Sequence, residues 1–291
     1  MITSFSRLVI GLLGAVCALA STGLAQADPD AKVLRVCADP NNLPLSDKAG
    51  HGYENRIAQL IGEELGRPVE YTWFPQRMGF VRNTLRAPNG SGGFKCDLII
   101  GVPADYEMTA NTRPYLHSAW AMVFPDRPEL ASVKTPEDVM ALPAEVRGKL
   151  RFGVFTHTPP LDWLFDHKLF DQAVAYQALS GDPDEIPGQI VAKDLAEGKI
   201  DVAMIWGPIG GYFAKQAKQP MRVVPFASTN SLKFDYLLSL GVRHPDKEWR
   251  ATLDAIIAKR QADIDAILRD FGIPLLQIPA PIHAAAPPGN S

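Results

Sequence analysis

Buried-strand and helix signals alternate along this chain, and the alternation runs through twice, which restricts it to open α/β sheets with helical crossovers. Residues 33–38 form a short apolar run of strand character. Residues 54–65 then place Ile57, Leu60, Ile61 and Leu65 at helical spacing, and Gly66 followed by Pro68 ends that helix. A second strand is expected over 69–73, a second helix over 78–85, and a third strand over 97–101 after the glycine-rich loop 87–93. Helical crossovers of this kind demand parallel neighbours.

The same unit returns further along. Residues 151–155 read as a strand, Thr158-Pro159-Pro160 as a proline-led helix start, and 176–179 as a short strand. A helix over 189–197 ends at Gly198, a strand follows over 201–206, and the unit closes near 222–225. Beyond it, Trp249, Leu253, Ile256, Ile257, Ile264, Ile267, Leu268 and Phe271 mark a long amphipathic helix or a helix pair, terminated by Gly272 and Pro274. With 291 residues, 46% of them hydrophobic and 21% charged, the chain is large enough for two modest cores rather than one. The Pro- and Ala-rich stretch 279–291 is expected to be a disordered tail.

The amino terminus reads as an address. Arg7 supplies a positive n-region, residues 8–20 are apolar, and Ala25-Gln26-Ala27 offers small residues for cleavage after Ala27, so 1–27 is expected to be a signal peptide. At about 1.5 Å per residue the apolar run falls short of a hydrocarbon core of about 30 Å. Cys17 lies inside that run, with Val16 where a lipoprotein site wants a small residue. Cleavage would leave Cys37 and Cys96 in an oxidising compartment, which suggests a disulfide. If their strands are parallel neighbours in register, however, the two are offset by several residues at about 3.3 Å each, against a Cα limit of about 7 Å. A disulfide and two buried thiols both stay open. The formal charge is −3, or −4 once Arg7 is removed. Such a balance lacks the basic field that sequence-independent nucleic-acid binding requires.

Leu34-Arg-Val-Cys-Ala-Asp39-Pro-Asn-Asn42-Leu-Pro44, then Gly52-Tyr53-Glu54-Asn55 opening a helix, then Cys96-Asp97-Leu-Ile-Ile-Gly101-Val-Pro103, resemble the opening lobe of periplasmic solute-binding proteins of the polar-amino-acid class, family 3. More narrowly, Cys-Ala-Asp-Pro-Asn-Asn-Leu-Pro at 37–44, Tyr-Thr-Trp-Phe-Pro-Gln at 71–76 and Gly-Val-Pro-Ala-Asp-Tyr-Glu-Met at 101–108 resemble the MoxJ/XoxJ proteins, which are associated with quinoprotein methanol dehydrogenases. The resemblance covers essentially the whole mature chain. It implies a two-lobed periplasmic binding protein fold of type II, α/β, each lobe a mostly parallel sheet flanked by helices, with two hinge crossings near 119–126 and 222–227. Lobe 1 is expected over 28–122 plus 226–278 and lobe 2 over 123–225.

Open parallel sheets collect ligands at the carboxyl ends of their strands, so 39–44, 101–106, 156–158 and 206–208 are expected to line an inter-lobe cleft. The candidate contacts are Asp39, Asn41, Asn42, Tyr53, Glu54, Trp73, Gln76, Arg77, Pro103, Tyr106, Glu107, Thr156, His157, Thr158 and Trp206. Aromatic residues among them could line an apolar, stacking cleft, although buried aromatics mostly pack. Thr158 reads more simply as a helix cap than as part of an anion site, and His157 as a loop histidine.

The departures from the amino-acid-binding pattern carry functional weight. That class places an arginine in the loop after its third strand to pair with a ligand carboxylate, whereas here no arginine follows Gly101 until Arg113. It also commonly places a carboxylate just past the strand matching 201–206, where this chain has Trp206-Gly207-Pro208. A zwitterion would leave its charges poorly paired there. The chain has no Gly-x-Ser-x-Gly elbow, His-Glu-x-x-His pair, phosphate loop or dinucleotide fingerprint, and Asp182-Pro183-Asp184-Glu185 lacks calcium-loop spacing. Neither catalysis, a metal nor a cofactor is expected. The resemblance favours a periplasmic accessory protein that binds or helps mature a PQQ-dependent alcohol dehydrogenase. The alternative is a transporter's substrate-binding receptor for a small molecule other than a free amino acid. No nucleic acid partner and no stable membrane insertion are expected.

Overall fold

The structure is a computed structural model and describes residues 32–177 and 185–279. The export segment 1–27 with Cys17, the acidic stretch at 182–184 and tail residues 280–291 lie outside the described residues. The first unit runs β1 (Leu34–Ala38), a hairpin of β2 (Asn41–Asn42) and β3 (Ser46–Asp47), α1 (Tyr53–Leu65), β4 (Val69–Trp73), α2 (Phe80–Asn83) and β5 (Leu98–Pro103). β1 lies between β4 and β5 and is parallel to both, from Leu34 opposite Val69 to Ala38 opposite Trp73 on one side and with Val36 opposite Leu98 on the other. β1 is buried on both faces apart from Arg35, which is half-buried. α1 stops where Gly66 turns left-handed at φ 65°. α2 is shorter than the expected 78–85, because Gly79 at φ 88° delays its start and the backbone at Thr84 leaves helical geometry.

The chain continues through β6 (Ala110–Asn111), β7 (Leu116–Pro125), α3 (Ala144–Arg147), β8 (Phe152–Phe155), α4 (Pro159–Asp166), β9 (Ala173–Tyr176), α5 (Pro187–Ala196), β10 (Val202–Trp206), α6 (Gly207–Gln216), β11 (Met221–Pro225), β12 (Asp235–Val242) and α7 (Lys247–Asp270). β8 lies between β9 and β10, parallel to both, and so repeats the first arrangement. β9 begins three residues before the expected 176–179. The turn ahead of it closes at Gln172, whose side-chain amide donates to the carbonyls of Arg147 and Leu150, which frees Ala173 to pair with Phe152.

The antiparallel strands β7 and β12 join the two units. β7 pairs through Leu116–Ala119 with β12, and beyond Ala119 with β10 and β11. Hydrogen bonding therefore follows the order β4-β1-β5-β12-β7-β10-β8-β9, giving a curled, mixed arrangement. Helices cover both faces at each end. α7 is one continuous helix and lays Leu253, Ile257 and Leu268 against Ile57 and Ile61 of α1 in a core that β1, β5 and β12 complete. Each such side chain contributes about 1.5–3 kcal/mol on burial. A separate core around Met122, Phe152, Trp163 and Phe226 supports the β8 end. After α7 the chain returns across β7, where Ser118 Oγ donates to the Pro274 carbonyl at 3.1 Å and the Leu276 amide to the His117 carbonyl at 2.9 Å.

Cys37 and Cys96 are bonded, with Sγ–Sγ 2.03 Å and Cα–Cα 5.5 Å. Cys37 pairs in register with Ile99, three residues past Cys96, but β5 starts only at Leu98 and Cys96 lies ahead of it, off the strand, so the offset along the strand does not keep the two apart. Arg243 fixes that bend by donating to the Cys96 and Leu85 carbonyls and to Asp97, which also receives Arg35.

Candidate functional site: a cavity at the carboxyl end of β1, β4 and β5

Asp39, just past β1, organises the site. Its Oδ1 accepts from the Asn41 amide at 2.9 Å and its Oδ2 from the Gln76 amide at 2.5 Å, which ties the loop after β1 to the loop after β4. Asn42 Nδ2 adds a contact of 3.4 Å to Gln76 Oε1. Gln76 and Arg77 then line a cavity of about 350 Å³ with Pro103 and Tyr106 from the end of β5. Ile99, Gly101, Val102, Phe80 and Val81 form its apolar walls. Met78, 98% exposed, and Met108, 39% exposed, stand at its mouth, and the Tyr106 hydroxyl donates to Met108 Sδ at 3.2 Å. Such a volume falls in the range of small-molecule sites or of a pocket for a partner's side chain.

The structure thus brings Asp39, Asn41, Asn42, Gln76, Arg77, Pro103 and Tyr106 together. Tyr53 and Glu54 are instead drawn into the core by the amino-terminal turn of α1: Tyr53 is 1% exposed, its ring edge-on to Phe271. Glu54 is buried beneath Gly101, and a Cβ at Gly101 would lie 2.4 Å from Glu54 Oε1. Glu54 Oε1 and the nearby Tyr115 hydroxyl are buried without a hydrogen-bond partner. Burial, reinforced by the charge of Asp39, holds the Glu54 carboxyl well above the ordinary range.

Trp73 is half-buried and stacks on Tyr71 at 4.6 Å, away from the cavity lining. Trp206 keeps part of its surface exposed. It is half-buried at the end of β10 between Trp120 and Tyr236, at 6.1 and 5.8 Å, and packs against the α1–α7 core because β10 runs directly into the crossing. Glu107 is exposed outside the cavity lining, its carbonyl 3.1 Å from His244 Nε2. Thr156, His157 and Thr158 follow β8, on the second unit of the chain. His157 is exposed with φ 59°, and the Thr158 hydroxyl donates back to the Phe155 carbonyl at 2.6 Å instead of capping α4. Met78 and Met108 carry no spacing signal that marks them as mouth residues, whereas Gly101, expected among 101–106, does lie in the lining, with φ 82° where β5 bulges against β12.

A larger groove of about 860 Å³ lies between α5 and α6, with Val191, Leu195, Phe213 and Met221 in its walls. It contains no expected contact residue. Among the described residues no group of three His, Cys, Asp or Glu side chains could hold a metal, and no helix is long and apolar enough to cross a membrane.

The glycine past β10 has a steric reason. A Cβ at Gly207 would lie 2.3 Å from the Ala119 carbonyl, so no carboxylate can stand there. The cavity keeps an arginine, Arg77, but from the loop after β4 rather than after β5. The arrangement offers polar and apolar contacts suited to binding.

No protein-family model matches the chain. It is 28% identical over 285 residues to Protein MoxJ of Paracoccus denitrificans, covering 93% of this chain and 97% of that one. Among solved structures it is similar to the periplasmic binding protein XoxJ from Methylobacterium extorquens AM1, at 37% identity, TM-score 0.68, and 84% and 100% of the two chains. MxaJ from Methlophaga aminisulfidivorans MPT, at 23% identity and TM-score 0.69 over 84% of this chain and 100% of that one, shares the fold. The strand order, the two-ended architecture and these likenesses agree on the two-lobed type II binding-protein fold, and the chain belongs to the MoxJ/XoxJ family of periplasmic binding proteins.

Proposed function

We propose that this protein is a non-catalytic periplasmic accessory of a PQQ-dependent methanol or alcohol dehydrogenase, exported by cleavage after Ala27, and that it binds the enzyme or an immature form of it. Its lobes are 28–122 plus 226–278 and 123–225, and they hinge where β7 and β11 cross. The observation that carries the reading is the cavity beside Tyr106. Its mouth is formed by two flexible, exposed methionines, and Trp206-Gly207-Pro208 past β10 offers no carboxylate to hold an ammonium group. Methionine adapts to irregular protein surfaces, and such a lip suits a partner's side chain better than a small zwitterion.

Calorimetry of the mature protein with the dehydrogenase tests this. Tyr106→Ala and Met78→Ser are each expected to weaken the complex by more than about 1 kcal/mol. Trp73→Ala, away from the lining, is expected to leave it unchanged. Absence of any association, or normal binding by both cavity variants, sinks the proposal. The second reading, a transporter's receptor for a small molecule other than an amino acid, draws on the cavity volume and on Arg77 and Gln76 as polar contacts. A small molecule from a periplasmic extract that co-purifies with the protein and is lost in Arg77→Ala would favour it.

A further inference from the structure

A second surface lies where α4 ends, at the opposite end of β8 from the loop 156–158. Phe165 is 69% exposed and Phe170 52% exposed, and their rings meet edge to face at 6.3 Å. Two large exposed aromatics in contact form an apolar spot that water disfavours, and such spots mark interaction sites.

The backbone holds these rings out stiffly. The Lys168 amide donates to the Phe165 carbonyl at 3.0 Å and the Leu169 amide to the Leu164 carbonyl at 2.8 Å. Lys168 sits at φ 59°, a left-handed conformation uncommon for a side-chain-bearing residue. Leu164 and Leu169 are buried and pin both sides of the turn, and the His167 ring stacks on Trp163 at 4.0 Å. Gln172 clamps the exit by donating to two carbonyls, at 2.7 and 2.6 Å. Rigid aromatic anchors lose little conformational entropy when a partner covers them.

Charge chooses the partner. Asp162, Asp166 and Asp171 are exposed on the segment that carries the two rings, against Lys168 within it and Lys149 on the stretch that Gln172 clamps, so carboxylates outnumber the exposed cations. No ion pair among the described residues engages any of the three carboxylates. We infer that the Phe165–Phe170 face is a docking surface for a protein whose complementary patch is basic and presents an apolar side chain. Anionic lipid would be repelled by the same carboxylates, and a second copy of this face would set like charges against each other.

The test titrates the full mature protein with a synthetic amphipathic helical peptide of leucine and lysine, and with a counterpart carrying glutamate for lysine. The lysine peptide is expected to bind, more weakly as salt rises. Its affinity should fall at least about tenfold in Phe165→Ser/Phe170→Ser and in Asp162→Asn/Asp166→Asn/Asp171→Asn. All five side chains are exposed, so unchanged thermal unfolding certifies the variants. Tyr106→Ala is expected to bind the peptide as the wild type does, which separates this surface from the cavity. Unchanged affinity in either multiple variant, loss of binding in Tyr106→Ala, or preference for the glutamate peptide or for anionic vesicles overturns the inference.

Discussion

Glu54 shows how one buried group couples the site to stability. It enters the core because α1 starts one residue earlier, and its unpartnered oxygen faces the backbone of Gly101, which also lines the cavity. Burial first, and Asp39 second, raise its pKa, so the folded state holds the acid neutral while the unfolded chain ionises it above about pH 4.3. A raised pKa contributes stability that is complete below the unfolded value and is lost as pH rises through the folded one. Glu54→Gln removes that loss. Its stability relative to wild type is expected to grow with pH from about pH 4, by up to about 1.4 kcal/mol per unit until the folded pKa is passed. Urea unfolding of both proteins at acid, neutral and mildly alkaline pH measures this, and a constant difference across the series refutes it.

Among the elements, the junction of β1 and β5 is the most heavily tied. The disulfide links residues 59 apart in sequence, and beside it Asp97 receives both Arg35 and the buried Arg243. Cross-linking a loop of that length constrains the unfolded chain. Cys37→Ser/Cys96→Ser is expected to lose about 2–4 kcal/mol, measured by denaturant unfolding under oxidising conditions. Reductant should lower the wild type to the level of the variant and leave the variant unchanged; a wild type indifferent to reductant contradicts the structural role. The periodicity of α7 marks its buried stripe in full, whereas the length of α2 depends on the left-handed turn at Gly79.

For the protein as a two-lobed receptor scaffold, the informative measurement is a screen with free amino acids. An ordinary receptor of this fold gains about 2.7 kcal/mol of stability at a hundredfold excess of ligand over Kd. Here Trp206-Gly207-Pro208 past β10 offers no carboxylate, and no arginine follows β5 closely. Thermal unfolding with each common amino acid at millimolar concentration is expected to leave the midpoint unchanged. A rise of several degrees with any of them would restore the receptor reading for that ligand.

Local pattern dictated the strands and helices of the two repeated units, because apolar periodicity and glycine or proline stops are properties of neighbouring residues: Ile57, Leu60 and Ile61 announce α1, and Gly66 ends it. The loops at 39–44 and 101–106 were legible for the same reason, since residues that follow buried strands in a parallel sheet must gather at one edge. Long-range geometry settled the rest. The antiparallel pairing of β7 with β12 joins residues more than a hundred apart in sequence, so no local window reveals it. Cys37 meets Cys96 ahead of β5, in a stretch where Arg243, far along the chain, holds the Cys96 carbonyl. Tyr53 carries the composition of a binding rim, but Phe271 from a distant segment packs over it, and burial of that kind follows from packing rather than from residue type, whereas Trp206 stays half-buried between Trp120 and Tyr236.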